Sequence, residues 1–111
     1  MFEAQGEKYG CPVEALASIL GKKWVPNIIW SLKNDQKRFG ELQRQVDGCT
    51  KKMLSQQLEI LMSEGIVENK KNIDNNSIES IYYLSETGMT LLPIVEQMIR
   101  WGNLYLTCEE K

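Results

Sequence analysis

The 111 residues contain no histidine, and the three cysteines stand apart at positions 11, 49 and 108. Without histidine the chain lacks the commonest general base and the commonest transition-metal ligand. The cysteines form no CxxC pair, and an odd number cannot all pair within one chain. There is no glycine-rich phosphate loop and no nucleophile beside a recognisable base, so neither an enzyme nor a bound cofactor or metal is expected. Two kinds of chemistry remain. The first belongs to a thiol: Cys11 precedes a helix start, where the positive end of the helix dipole favours thiolate. The plainer alternative is a small, buried apolar residue. The second is recognition by charge and hydrogen bonds, from Lys51, Lys52, Ser55, Gln56 and Gln57. Lysines reach phosphates, glutamines offer paired donor and acceptor groups to an adenine edge, and serine serves either purpose. Arg38 and Arg44 are further candidates for the phosphate backbone.

The stretch that positions these side chains reads as helix, short turn, helix. Phe39, Leu42 and Val46 share one helical face. Asp47-Gly48 breaks that helix, since glycine takes the left-handed conformation that ends helices. Thr50 caps the next one through its hydroxyl, and Leu54, Leu58 and Leu61 form the buried stripe of a helix reaching Glu64. The polar candidates fall mostly on its other faces. Residues 39–64 therefore suit a helix-turn-helix, although an ordinary helical hairpin has the same pattern. Charge is distributed to match. The whole chain is at −2, but residues 22–71 carry ten Lys/Arg against six Asp/Glu. Phosphate attraction is local, on a Debye scale of about 8–10 Å, so a basic face on an acidic protein can still bind DNA.

Elements on either side complete the scaffold. Residues 1–10 are polar and read as a flexible arm. Pro12 suits the first turn of a helix over 12–20 with Val13, Leu16, Ala17 and Leu20 on its apolar face, closed by Gly21. Lys22-Lys23-Trp24 opens a second helix with Pro26 in its first turn, and Lys37-Arg38 forms a very short strand. After the stop at Gly65, residues 66–84 read as a two-stranded wing. Its turn is at Asp74-Asn75-Asn76-Ser77, and Ile-Tyr-Tyr-Leu is strongly strand-forming. Ser85 to Gly88 caps a final helix over 86–106, about 31 Å long, with a kink expected near Pro93. Its apolar stripe, Leu91, Leu92, Val95, Met98 and Ile99, is widened by Met89, Ile94, Trp101, Leu104, Tyr105 and Leu106. That exceeds what a small core can cover and points to a subunit interface; the alternative is that the first helix and the sheet cover all of it. Length bounds the chain to one domain, residues 1–111. No apolar run suffices for a membrane span, and the N-terminus lacks the pattern of a signal peptide. The cytoplasm is the expected compartment.

Six short motifs in this order resemble the HxlR-type family of bacterial winged-helix transcriptional regulators. They are Cys11-Pro12-Val13-Glu14, Gly21-Lys22-Lys23-Trp24, Lys37-Arg38-Phe39-Gly40-Glu41-Leu42, Lys52-Met53-Leu54-Ser55-Gln56-Gln57-Leu58, Glu64-Gly65-Ile66-Val67-Glu68, and Leu84-Ser85-Glu86-Thr87-Gly88 with Trp101-Gly102. Each is weak alone; their order and separation over about residues 11–106 make the set specific. The resemblance implies a mainly α fold with a small β-hairpin, a winged helix-turn-helix with a long C-terminal dimerisation helix. It also implies a homodimer, built from the first and last helices, on an inverted-repeat operator in double-stranded DNA. Val13, Leu16, Leu91, Val95, Met98, Trp101, Leu104 and Tyr105 are the interface candidates. Some relatives sense oxidants or electrophiles through the cysteine of the Cys-Pro motif, which puts Cys11 forward here, with Cys49 as its candidate partner.

The chain departs from the family at the wing, which usually carries a pair of prolines and a basic residue. Here Asp74 to Glu79 is longer and acidic, which shifts the expected phosphate contact onto Lys70 and Lys71. With Thr50 at the head of the recognition helix, these complete the candidate DNA-binding set. The competing reading is a winged helix that binds another protein instead of DNA; salt-sensitive binding to duplex DNA separates the two. Neither the sequence nor the resemblance points to a particular small-molecule effector.

Overall fold

The computed structural model describes residues 1–74 and 77–107. A small hairpin comes first, β1 (Phe2–Ala4) against β2 (Glu7–Tyr9), followed by α1 (Pro12–Leu20) and α2 (Val25–Ser31). A two-residue strand, β3 (Lys37–Arg38), leads into α3 (Phe39–Gln45) and α4 (Lys51–Ser63). The wing is β4 (Val67–Asp74) and β5 (Ser77–Leu84); a single turn, α5 (Glu86–Met89), then precedes α6 (Leu92–Tyr105). β3 joins the wing as a third strand, in the order β3-β5-β4, all antiparallel. The expected wing turn at Asn75-Asn76 lies outside the described residues.

The core forms where α2, α3 and α4 meet. Val25, Ile28 and Ile29 of α2, Leu42 of α3, and Leu54 and Leu61 of α4 are completely buried. Val25 with Ile28 and Ile29, three and four apart, and Leu54 with Leu61, seven apart, each lie on one helical face, as the apolar pattern requires. Val67 from the wing and Val95 from α6 close the core from the other side. Thr50 caps α4, its hydroxyl accepting from the Met53 N–H at 3.2 Å. Gly48 ends the preceding turn and Gly65 follows α4, both with positive φ, +83° and +72°.

Three expectations need correction. Residues 1–10 do not form a loose arm. Gln5 and Gly6 take successive positive φ angles of 53° and 78°, which close a tight hairpin, and Ala4 enters the core at 3% exposure. The second helix does not open at Lys22. Lys22 to Trp24 make a turn in which the Val25 N–H bonds Lys22 O, and Trp24 sits in the left-handed region at φ 71°. Pro26 is then the second helical residue, where its missing N–H leaves no bond unmade. Finally, the C-terminal helix is interrupted instead of merely kinked. Pro93 cannot donate to Met89, so the chain closes α5 at Thr90 and restarts at Leu92. The long helix that remains spans about 21 Å.

The joint between α4, the wing and the C-terminal helices is polar and close. Ser85 is 8% exposed, and its hydroxyl donates to Gly65 O at 2.5 Å, near Ile66 O at 3.1 Å. The same oxygen accepts from the Gly88 N–H at 2.9 Å. A Cβ built on Gly88 would lie 2.1 Å from Ile66 O. That oxygen belongs to rigid backbone, so Gly88→Ala is expected to cost about 3 kcal/mol through overpacking. Gly10 has nothing within 4 Å of a built Cβ, so Gly10→Ala should stay within about 0.5 kcal/mol. Urea unfolding of the two variants checks the contrast; equal stabilities would mean that the joint yields.

Candidate nucleic-acid interface

The exposed face of α4 carries the polar candidates together. Lys51, Lys52, Ser55 and Gln56 are exposed, whereas Leu54, Leu58 and Leu61 are buried on the opposite side. Thr50 lies at the head of the same helix, exposed and committed to capping it. Gln57 departs from the expected pattern. It is half-buried, with Oε1 turned inward and no hydrogen-bond partner among the described residues. Its place on the flank of the leucine stripe takes it off the outer face, so Gln56 is the glutamine that faces outward. Met53 was not among the sequence candidates, yet it is 39% exposed one turn before Gln56. The signal was available: position 53 falls outside the stripe of 54, 58 and 61, and an exposed thioether can pack against a thymine methyl group.

The basic residues around α4 differ in freedom. Arg44 is exposed at the end of α3 and forms no ion pair among the described residues. Arg38 is engaged: its Nε lies 3.1 Å from Glu79 Oε2 in the wing, and its backbone N–H donates to Glu41 Oε1 at 3.0 Å. Lys71 Nζ donates to Ser80 Oγ at 2.7 Å, and Lys70 Nζ lies 5.7 Å from the Tyr83 ring centre. Desolvation, then the hydrogen bond and negative charge of Glu68, push the Tyr83 phenol above its ordinary value. Trp24 braces the turn before α4 through its indole N–H, which donates to Asp47 O at 3.3 Å.

The expected interface residues divide into two groups. Val95 is fully buried and Leu91 is 9% exposed, both within the protomer's own core. The sequence reading placed them on the surface stripe, but this edge of α6 packs inward, in the core shared with α2. Leu16 is half-buried. Val13, Met98, Trp101, Leu104 and Tyr105 are exposed, at 72%, 43%, 57%, 75% and 69%. With Ile94, the residues Met98, Trp101 and Tyr105 recur at helical spacing along one face of α6. Val13, Leu16, Leu20 and Met98 line an apolar groove of about 280 Å3 between α1 and α6.

The two described cysteines have different surroundings. Cys11 is half-exposed at the residue before α1. Cys49 is 6% exposed, and its thiol points to Thr50 O at 3.6 Å. Burial pushes the Cys49 thiol up from the ordinary value, which opposes thiolate formation and with it the expected pairing with Cys11. Cys108 lies outside the described residues. Because a raised pKa lowers the thiolate fraction at any given pH, Cys49 is expected to alkylate more slowly than Cys11. Mass spectrometry of the native protein during iodoacetamide labelling at pH near 8 reads the order directly; equal rates would show Cys49 to be open. Among the described residues, no group of three or more His, Cys, Asp or Glu could hold a metal ion, and no helix is long and apolar enough to cross a membrane.

The family model described as HxlR-like helix-turn-helix matches residues 19–110. The HTH-type transcriptional regulator YybR of Bacillus subtilis is 38% identical over 96 residues, covering 86% of this chain and 76% of that one. Among solved structures, the redox regulator HypR in its oxidised form superposes with a TM-score of 0.81 at 35% identity, covering 88% of this chain and all of that one. The reduced form of the transcriptional regulator YodB from Bacillus subtilis gives 0.76 at 30% identity, covering 92% and 100%.

Proposed function

The chain belongs to the HxlR-like helix-turn-helix family of transcriptional regulators, and we propose that it acts as a homodimer on an inverted-repeat operator in duplex DNA. The observation that carries this reading is the two-sided character of α4. Its leucines are locked in the core, while Lys51, Lys52, Ser55 and Gln56 stand together in solvent. Lys51 and Lys52 occupy the first turn, where the helix dipole adds to their attraction for phosphate. Gln56, one turn on, is placed to read a base edge, and Arg44, Lys70 and Lys71 supply backbone contacts from either side. The exposed stripe of α6, continued by Val13 across the groove to α1, supports pairing with a second copy. A two-fold dimer presents its recognition helices to major grooves about 34–36 Å apart. The same reading puts the chain in the cytoplasm, with the DNA it binds.

Cys11 is the thiol assigned to any oxidant response, because it combines partial exposure with a helix N-terminus and Cys49 is buried. The redox regulator HypR, which this chain resembles over 88% of its length, supports looking for such a response. A non-reducing gel after mild diamide treatment, with DNA binding measured in parallel, tests it. Cys11→Ser should abolish both the crosslink and any change in affinity, and persistence of both would make the cysteine structural.

For DNA itself, Lys51→Ala or Lys52→Ala should weaken binding to every sequence and lower the salt slope by about one unit. Gln56→Ala should relax preference at one base position, at a cost of about 1–3 kcal/mol on the operator. A uniform loss on operator and random DNA would remove Gln56 from base reading. Absence of salt-sensitive duplex binding would favour a protein partner instead. For the dimer, Leu104→Glu should give a monomer in sedimentation, because an unpaired charge in an apolar interface costs several kcal/mol (about 3–5). An unaltered protein that sediments as a monomer at micromolar concentration overturns the interface.

A further inference from the structure

The cleft between α3 and the wing holds charges of both signs. Glu79 of β5 faces Asn72 in the wing register, and Arg38 of β3 faces Ile81 on the other side of β5. Glu79 and Ile81 are two residues apart and therefore on one face of the sheet. A long side chain at Arg38 reaches the diagonal neighbour on that face, and the 3.1 Å contact between Nε and Oε2 follows. Among the described residues this is the one ion pair. With Glu41 and Arg44 these residues line an open cleft of about 450 Å3. The two side chains remain 59% and 41% exposed, so solvent and ligands reach both.

We propose that Glu79 is an internal counter-ion for Arg38 which a DNA phosphate must displace, so that the wing lowers the protein's affinity for duplex DNA. The inference rests on the DNA-binding reading above and adds a residue that opposes it. An exposed ion pair is weak, and the bidentate bonds of a guanidinium to phosphate are stronger. Phosphate therefore wins Arg38 wherever docking brings one to the cleft. Part of the gain is spent on separating the pair. Because the carboxylate already neutralises Arg38, fewer counterions leave when the protein binds. Arg38 contributes less than a free arginine would, while Arg44 beside it is unpaired among the described residues.

The test uses the full chain, a short mixed-sequence DNA duplex and a salt titration, with Glu79→Gln, Arg38→Ala and the double variant. Glu79→Gln should bind about two- to fivefold more tightly, the reach of a released surface pair, and steepen the salt slope by up to about one unit. In the Arg38→Ala background the same substitution should give less than half of that gain. No gain, a loss, or an equal gain in both backgrounds overturns the proposal. A loss accompanied by a lowered thermal midpoint also overturns it, and assigns Glu79 to holding the wing root. Lys51→Ala in the same assay separates the two levels. If it weakens binding while Glu79→Gln is neutral, only this inference fails; if the unaltered protein shows no salt-sensitive binding, the DNA reading fails and takes the inference with it.

Discussion

The arrangement depends on one buried hydroxyl. Ser85 Oγ bonds the backbone where α4 gives way to the wing, and also holds the first turn after the wing through Gly88. The backbone adds a parallel bond, Ser85 N–H to Ile66 O at 3.0 Å. A buried carbonyl left unpaired at this point would cost about 1–3 kcal/mol, so the three elements are fixed as one joint. Gly88 is what allows the approach, since any side chain there would occupy the space of the Ile66 carbonyl. The end of the recognition helix, the root of the wing and the start of the α6 segment therefore share a single rigid reference point. The exposed stripe of α6 and the polar face of α4 keep a fixed relation through this point.

How far the sequence led depends on the range of the interactions involved. The cap at Thr50, the break at Gly48, the stop at Gly65 and the leucines of α4 are local or helical signals, and each was legible. So was the short strand at Lys37-Arg38, although not that it would add a third strand to the wing. The N-terminal hairpin is not legible because its strands are only three residues each and mostly polar; Ala4 is buried by packing on α1, and Gln5 in the turn is held by the distant Glu64. The inward turn of Leu91 and Val95 was missed for a related reason. An apolar stripe on α6 can face the protomer's own core or a partner, and packing against α2 decides which edge is covered. Gln57 shows the limit of reading candidates by residue type, since its rotation about the helix axis decides what it can touch.

Charge shows the same division. The excess of lysine and arginine between residues 22 and 71 was visible in the sequence, but which of those charges is free is set by register. Arg38 and Glu79 are far apart in the chain and meet only because β3 pairs with β5. Lys71 is drawn to Ser80 across the wing, and Lys70 lies over Tyr83, by the same ladder. The pairing of β3 with β5 thus sets Arg38 against an acid, while Lys70 and Lys71 are positioned by neutral partners and keep their charge.

The N-terminal hairpin has a consequence for Cys11 that an arm would not have. Cys11 follows directly on this hairpin and begins α1. Gln5, at the hairpin's turn, donates its backbone N–H to Glu64 Oε1 and its side-chain amide to Ser18 O at 3.1 Å. Glu64 is the residue that ends the recognition helix. The thiol is thus joined to the far end of α4 by one short, hydrogen-bonded piece of backbone, without needing to reach the buried Cys49. Gly65, at positive φ, is the next residue and leads into the Ser85 joint. The hairpin that precedes Cys11 is therefore held at the C-terminal end of α4, whereas the buried Cys49 lies just before the start of that helix.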